Sequence, residues 1–198
     1  MNYGSGNVKS VYNVLTYLGY DAHISNQSEL IREASHIILP GVGAFGAAMD
    51  KIMERIDFKV LEEVILDQGK PFLGICVGMQ LLADLGREYG EHRGFGWIAG
   101  EVDKLPVKTY PLPHIGWNDI VLEKECPLFK DFGDYRDFYF VHSYAFNVQD
   151  PSYKVASTEY EAKFCSVVQK ENVFGIQFHP EKSQKAGQLL LKNFIELT

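Results

Sequence analysis

Between Val8 and Leu18 the apolar residues Val8, Val11, Tyr12, Leu15 and Leu18 recur at helical spacing, and Gly19 stands where a helix C-cap would fall. That pattern predicts an amphipathic helix. A short extended piece over Asp21–Ser25 is expected next, then a polar turn, a brief helix from near Ser28, and a buried strand over the apolar run His36–Leu39. Pro40-Gly41-Val42-Gly43 is expected to break that strand. Helical spacing returns over Ala44–Met53 and Phe58–Asp67, Pro71–Ile75 predicts a second short strand, and a helix should run from Gly78 to about Leu85. Strands alternating with helices imply right-handed crossovers and an open, mostly parallel twisted sheet flanked by helices.

After Gly100 the texture changes. Strand-like runs cover Gly100–Leu105, Ile115–Leu122, Asp137–Val148, Tyr153–Ser157, Lys163–Gln169 and Val173–Phe178, with a hairpin loop at Lys170-Glu171-Asn172 and a closing helix over Ala186–Leu197. The expected class is α/β with an antiparallel, β-rich C-terminal half. A length of 198 residues suits one domain spanning the chain.

Composition narrows the function classes. Hydrophobic residues at 46% with 23% charged suit a globular protein rather than a disordered or fibrous one. The excess of 26 acidic over 19 basic residues, net charge -7, argues against a general nucleic-acid surface and favours small substrates or protein partners. No apolar run approaches the roughly 20 residues that span a bilayer, and Met1-Asn2-Tyr3-Gly4 lacks the basic start of a signal peptide, so a cytoplasmic location without membrane contact is expected. Cys76, Cys126 and Cys165 are odd in number and widely spaced, which predicts reduced thiols. No histidine pair has the i,i+4 spacing of a zinc site, so no metal is assigned, and no cofactor is called for.

Gly74-Ile75-Cys76-Val77-Gly78 lies between a predicted strand and a predicted helix, the setting of a nucleophile elbow. A lone cysteine is more often a small buried core residue, but flanking glycines at a strand-to-helix turn reverse that preference. A helix N-terminus favours the thiolate, and the backbone N–H after the nucleophile can face a developing oxyanion. A thiolate nucleophile needs a base, and the strand Val173–Phe178 ends in His179-Pro180-Glu181, an imidazole with a carboxylate two residues on.

Leu73–Leu82, with Pro40-Gly41-Val42-Gly43 before it and Gln177-Phe178-His179-Pro180-Glu181-Lys182-Ser183 after it, closely resembles the class I (triad-type) glutamine amidotransferases. Pro113–Asn118 and Phe138–Tyr144 are similar to the branch of that family serving as glutaminase subunits of imidazole glycerol phosphate synthase in histidine biosynthesis. The resemblance covers almost the whole chain. It implies hydrolysis of glutamine to glutamate and ammonia by Cys76 as nucleophile, His179 as general base and acid, and Glu181 as the group that orients the imidazole. It further implies an oxyanion strand at Gly41, Val42 and Gly43 acting with the Val77 N–H, and a glutamine pocket with Gln80, Glu88, Ser143 and Tyr144. The implied partner is a (βα)8-barrel synthase subunit, forming a heterodimer and receiving ammonia internally, with Tyr3, Asn7, Trp117 and Lys182 at the interface. Read from the residues alone, Trp117 fits a core position equally well, Lys182 a solvated surface, and His114 and His142 structural roles.

Two points stay open at this level. Family members open with an apolar strand ahead of the Tyr-Gly-x-Gly-Asn stretch, whereas Met1-Asn2 stands where that strand should end, so unpaired backbone is expected in the sheet. The motifs also specify hydrolysis better than the ammonia acceptor, and a paralogue feeding a sugar amidotransferase of surface-polysaccharide synthesis would keep them all.

Overall fold

The structure, a computed structural model, describes residues 1–197. In chain order the first half comprises α1 (Val8–Tyr17), α2 (Ser28–Glu33), β1 (Ile37–Gly41), α3 (Phe45–Arg55), α4 (Phe58–Glu62), β2 (Phe72–Cys76) and α5 (Val77–Gln80). A wider π-helical turn, Glu63–Asp67, extends α4. The second half comprises β3 (Leu85–Gly86), β4 (His92–Arg93), β5 (Gly100–Lys104), β6 (His114–Asp119), β7 (Val121–Leu122), β8 (Asp137–His142), β9 (Tyr144–Val148), β10 (Lys154–Tyr160), β11 (Ala162–Lys170), β12 (Val173–Ile176) and α6 (Gln184–Ile195).

Six strands form the main sheet in the order β1-β2-β12-β11-β10-β7. The pairings β1–β2 and β2–β12 are parallel, while β12–β11, β11–β10 and β10–β7 are antiparallel. All five residues of β2 and all four of β12 are buried, which accounts for their uninterrupted apolar runs. Ile176 of β12 is paired with Ile75 of β2. The two strands therefore end side by side, and Cys76, the last residue of β2, and Gln177–His179, which follow β12, emerge at one sheet edge. Smaller sheets, β4-β3-β5-β9 and β6-β8, wall that edge.

Several local expectations are corrected by tertiary pairing. β1 continues through Pro40 and Gly41, opposite Ile75 and Cys76, because its other side meets no strand among the described residues and the N–H that proline lacks is not needed there. The helix after Cys76 stops at Gln80 instead of reaching Leu85: the incoming segment claims its carbonyls, with Phe95 N–H on Leu81 O at 2.7 Å, Gly96 N–H on Ala83 O at 3.0 Å and Ile98 N–H on Leu82 O at 3.0 Å. The run Asp137–Val148 breaks at Ser143, where the chain leaves β6 for β5. Asp21–Ser25 forms no ladder; its recorded backbone bond is Asn2 N–H to Ser25 O at 2.9 Å. That segment and β1 both line a groove of about 550 Å³, into which the Met1 amino group donates to Ile38 O at 2.7 Å. Apart from that contact at Ile38 O, this side of β1 pairs with no strand among the described residues. No helix among the described residues is long and apolar enough to cross a membrane.

Candidate active site

Cys76 ends β2 and precedes α5 with φ +55° and ψ -112°, a conformation an L-residue holds only when its surroundings enforce it. Close backbone approach does so here. A Cβ on Gly74 would lie 2.3 Å from Gly78 O, and one on Gly78 would lie 2.0 Å from Leu39 O, so the elbow can seat against β1 only with glycine at both places. The four-residue α5 confines any helix-terminus support for the sulfur to a single turn.

His179 follows β12 and begins a tight turn over Pro180–Lys182. Its backbone is clamped to β8: the His179 N–H donates to Tyr139 O at 2.9 Å, Ser183 Oγ donates to His179 O at 2.6 Å, and Tyr139 N–H donates to Ser183 Oγ at 3.0 Å. The ring Nδ1 is 2.9 Å from Glu181 Oε1. A carboxylate can only accept, so Nδ1 carries the hydrogen and Nε2 is left for another partner. Burial pushes the His179 pKa down, but Cys76 and Glu181, each by hydrogen bonding and charge, outweigh it and hold the imidazole well above its ordinary value. Burial likewise pushes Glu181 up, and the hydrogen bonds from His179 and Asn7 bring it below the usual carboxylate range. The two shifts agree in direction: each partner favours the charged form of the other.

Cys76 and His179 share a cavity of about 420 Å³. Its walls include Val42, Gly43, Val77, Gln80, Glu88, Ser143, Tyr144 and Lys182 from the sequence reading, together with Ala44, Tyr89, Pro113, Val141 and His142, which that reading had not assigned. Gly41, at the end of β1, is not among the lining residues and is packed against Val77 and Gly78. Val42 and Gly43 are exposed on the cavity rim, and Ser5 Oγ donates to Val42 O at 3.0 Å. Glu88 Oε2 accepts from the Phe45 N–H at the start of α3 at 3.0 Å, which fixes its carboxylate at the wall. Gln80 lines the cavity, but its Nε2 is already engaged with Tyr144 O at 2.9 Å and Gln177 Oε1 at 3.0 Å. No cluster of three or more histidine, cysteine or acidic side chains among the described residues could hold a metal ion.

The expected interface residues divide. Trp117 is 48% exposed and packs edge-on against Tyr139, and Lys182 Nζ lies 5.4 Å from the same ring. Asn7 is half-buried, with Nδ2 on Glu181 Oε1 at 2.9 Å. Tyr3, by contrast, is wholly enclosed in the core and presents no side-chain surface beside Trp117 and Lys182. Sequence reading also passed over Gln177 as a site residue; the signal available was an amide in an otherwise apolar strand end, two residues from the histidine.

The sequence profile described as Glutamine amidotransferase class-I matches residues 1–197. A Vibrio vulnificus (strain YJ016) protein, imidazole glycerol phosphate synthase subunit HisH 2, is 42% identical over 198 residues, covering 99% of this chain and 92% of the relative. The corresponding HisH subunit of Aquifex aeolicus (strain VF5) is 43% identical over 195 residues, covering 98% and 93%. Among solved structures, a glutamine amidotransferase superposes with TM-score 0.72 at 18% identity over 97% of this chain and 94% of that one, a likeness of fold. With the family profile spanning nearly every residue and relatives above 40% identity along the full length, this chain belongs to the class I glutamine amidotransferases.

Proposed function

We propose that residues 1–198 act as one glutaminase domain, the glutamine-hydrolysing subunit of an imidazole glycerol phosphate synthase. The observation that carries this reading is the sharing of one cavity by Cys76 and the His179–Glu181 pair in a chain 42% identical, end to end, to a subunit of that synthase. His179 takes the thiol proton, and the Cys76 sulfur attacks the carboxamide carbon of glutamine. N–H groups of the Gly41-Val42-Gly43 stretch and of Val77 stabilise the resulting oxyanion. The imidazolium then protonates the departing nitrogen, ammonia leaves, and a thioester remains. Water, deprotonated by His179, attacks the thioester; the sulfur is expelled, and glutamate is released. Glu181 keeps the imidazole oriented and compensates its charge throughout.

Glu88, Ser143 and Tyr144 hold the amino-acid end of glutamine, with Gln80 in the wall beside them. The partner is a (βα)8-barrel cyclase subunit docked on the face that carries Trp117, Tyr139 and Lys182, so that ammonia passes between subunits without protonation in water and is built into imidazole glycerol phosphate with release of AICAR. Three free buried thiols suit the reducing cytoplasm, where we place the complex. The test is to combine the chain with its barrel subunit and acceptor substrate and follow glutamate and imidazole glycerol phosphate together. Equimolar formation is expected; glutamate release with no acceptor product would overturn the assignment.

A further inference from the structure

The amide of Gln177 is held in one orientation by a chain of contacts that begins at a group with no freedom of role. Tyr144 O is a backbone carbonyl and can only accept, so the Gln80 atom 2.9 Å from it is the amide nitrogen. That nitrogen is also 3.0 Å from the Gln177 side chain, which must therefore present its oxygen there. Gln177 Nε2 is consequently turned to the opposite side, where it donates to Cys76 Sγ at 3.6 Å. Gln177 is completely buried, and its backbone N–H is fixed to Ser166 O at 2.9 Å, so neither water nor strand movement competes for the amide.

We infer that Gln177 is a positioning residue for the reaction, an uncharged donor that steers the Cys76 sulfur and supports it whenever it is negatively charged, with Gln80 acting through it as the anchor. The inference rests on Cys76 being the nucleophile. In the thiol form the sulfur donates to Val141 O at 3.8 Å, and once ionised it no longer can. His179 exchanges its proton during the cycle, giving it to the leaving nitrogen and taking another from water. Gln177 cannot give up its hydrogens. It therefore stays a donor to the sulfur both on attack and on its expulsion from the second tetrahedral intermediate, with its amide held in place by Gln80 Nε2.

The test uses the whole chain with its barrel partner and compares wild type with Gln177→Met, similar in length but without a donor. Iodoacetamide alkylation of Cys76 is measured against pH, alongside glutamine-driven and ammonia-driven synthesis. A hydrogen bond to a charged group is lost, so alkylation at pH 7 should fall roughly ten- to a hundredfold and the midpoint of its pH profile should move upward; glutamine-driven kcat should fall similarly and ammonia-driven synthesis should persist. Gln177→Asn, which withdraws the amide by one methylene, carries the same expectation if the methionine variant does not fold. A folded variant with unchanged alkylation profile and unchanged kcat overturns the inference. Turnover of glutamine by Cys76→Ala, measured in parallel, would instead overturn the nucleophile assignment, so the two failures are distinguishable.

Discussion

Asn7 Nδ2 donates to Glu181 Oε1 at 2.9 Å, and the same oxygen takes the hydrogen of His179 Nδ1 at 2.9 Å. The residue before α1 is thus tied to the carboxylate that orients the imidazole, and its own Oδ1 is fixed by Ser10 Oγ at 2.7 Å. Three substitutions along this line should rank in order. His179→Ala removes the group that moves the proton and should cost about 10⁴ in kcat. Glu181→Ala removes orientation and charge compensation and should cost less. Asn7→Ala removes one hydrogen bond to a charged group and should cost about tenfold. Steady-state glutaminase assays, with circular dichroism to verify folding, check the order; equal losses for His179 and Glu181 in folded variants would mean the roles are misassigned.

Cys76→Ala should abolish glutamine-driven synthesis while leaving ammonia-driven synthesis by the barrel partner intact, because it removes the nucleophile without touching the acceptor site. A thiol-alkylating glutamine analogue should label Cys76 and spare the other two cysteines. Burial pushes the Cys126 thiol up to about 11 and the Cys165 thiol up to about 12, so both stay protonated and unreactive at neutral pH. Peptide mapping by mass spectrometry identifies the labelled thiol.

A buried histidine pair sets an acid limit on stability. His142 Nδ1 bonds to Tyr144 O at 2.9 Å and its Nε2 meets His114 Nδ1 at 3.1 Å, while His114 Nε2 lies 3.3 Å from Asn118 Nδ2. Burial lowers His114 to about 4 and His142 to about 3, the latter helped by the neighbouring charges of His114 and His179 and opposed by the Tyr144 carbonyl. Both folded values lie below the ordinary 6.5, so the unfolded chain binds more protons in acid. Their contribution is complete above pH 6.5 and is lost as pH falls toward 4 and 3. His179 is raised, so its contribution is complete below 6.5 and fades as pH rises. Denaturant titrations should therefore show stability greatest near neutrality and lower by on the order of 3 kcal/mol by pH 4.5. His114→Gln should flatten the acid limb; an unchanged slope would exclude this pair as its cause.

The elbow and the His-Pro-Glu segment could be recognised in the sequence because their chemistry is local: glycines flank Cys76, and His179 and Glu181 are two residues apart. The parallel core was readable for a related reason, since strands buried on both faces are continuous apolar runs. What the sequence could not show was set by distant partners. Helix α5 is cut short by the N–H groups of Phe95, Gly96 and Ile98, which bond carbonyls just past it, and Asp137–Val148 is divided between two sheets at Ser143, with no glycine or proline beside it to mark the break. The role of Gln177 depends on an amide orientation fixed by Gln80 and Tyr144, 97 residues away and 64 residues from Gln80 in sequence respectively. Tyr3 was placed at the interface by the family resemblance alone, and the enclosure of its ring is a matter of packing that no local pattern marks.

The isolated chain should be a slow glutaminase that its barrel partner activates, and the peptide planes around Val42 and Gly43 are where that control is expected to act. Val42 is 41% exposed, and Gly43 sits at φ +91° with no atom within 4 Å of where a Cβ would lie, so the stretch has both the space and the backbone freedom to turn. Ser5 Oγ on Val42 O at 3.0 Å links it to the N-terminal loop, and the exposed Lys182 lines the cavity from another side. A docked partner could rotate one peptide there and leave the His179–Glu181 pair untouched. Losing a single oxyanion donor typically costs about 10²–10³ in rate, so adding one on docking should raise kcat by a comparable factor. Glutamine hydrolysis is to be measured for the chain alone, with the barrel subunit, and with barrel plus acceptor substrate. Gly43→Ala, strained at positive φ, should depress the activated rate more than the basal one while leaving alkylation of Cys76 unchanged. A lone chain already as fast as the full complex would reduce Gly41 and Gly43 to turn residues.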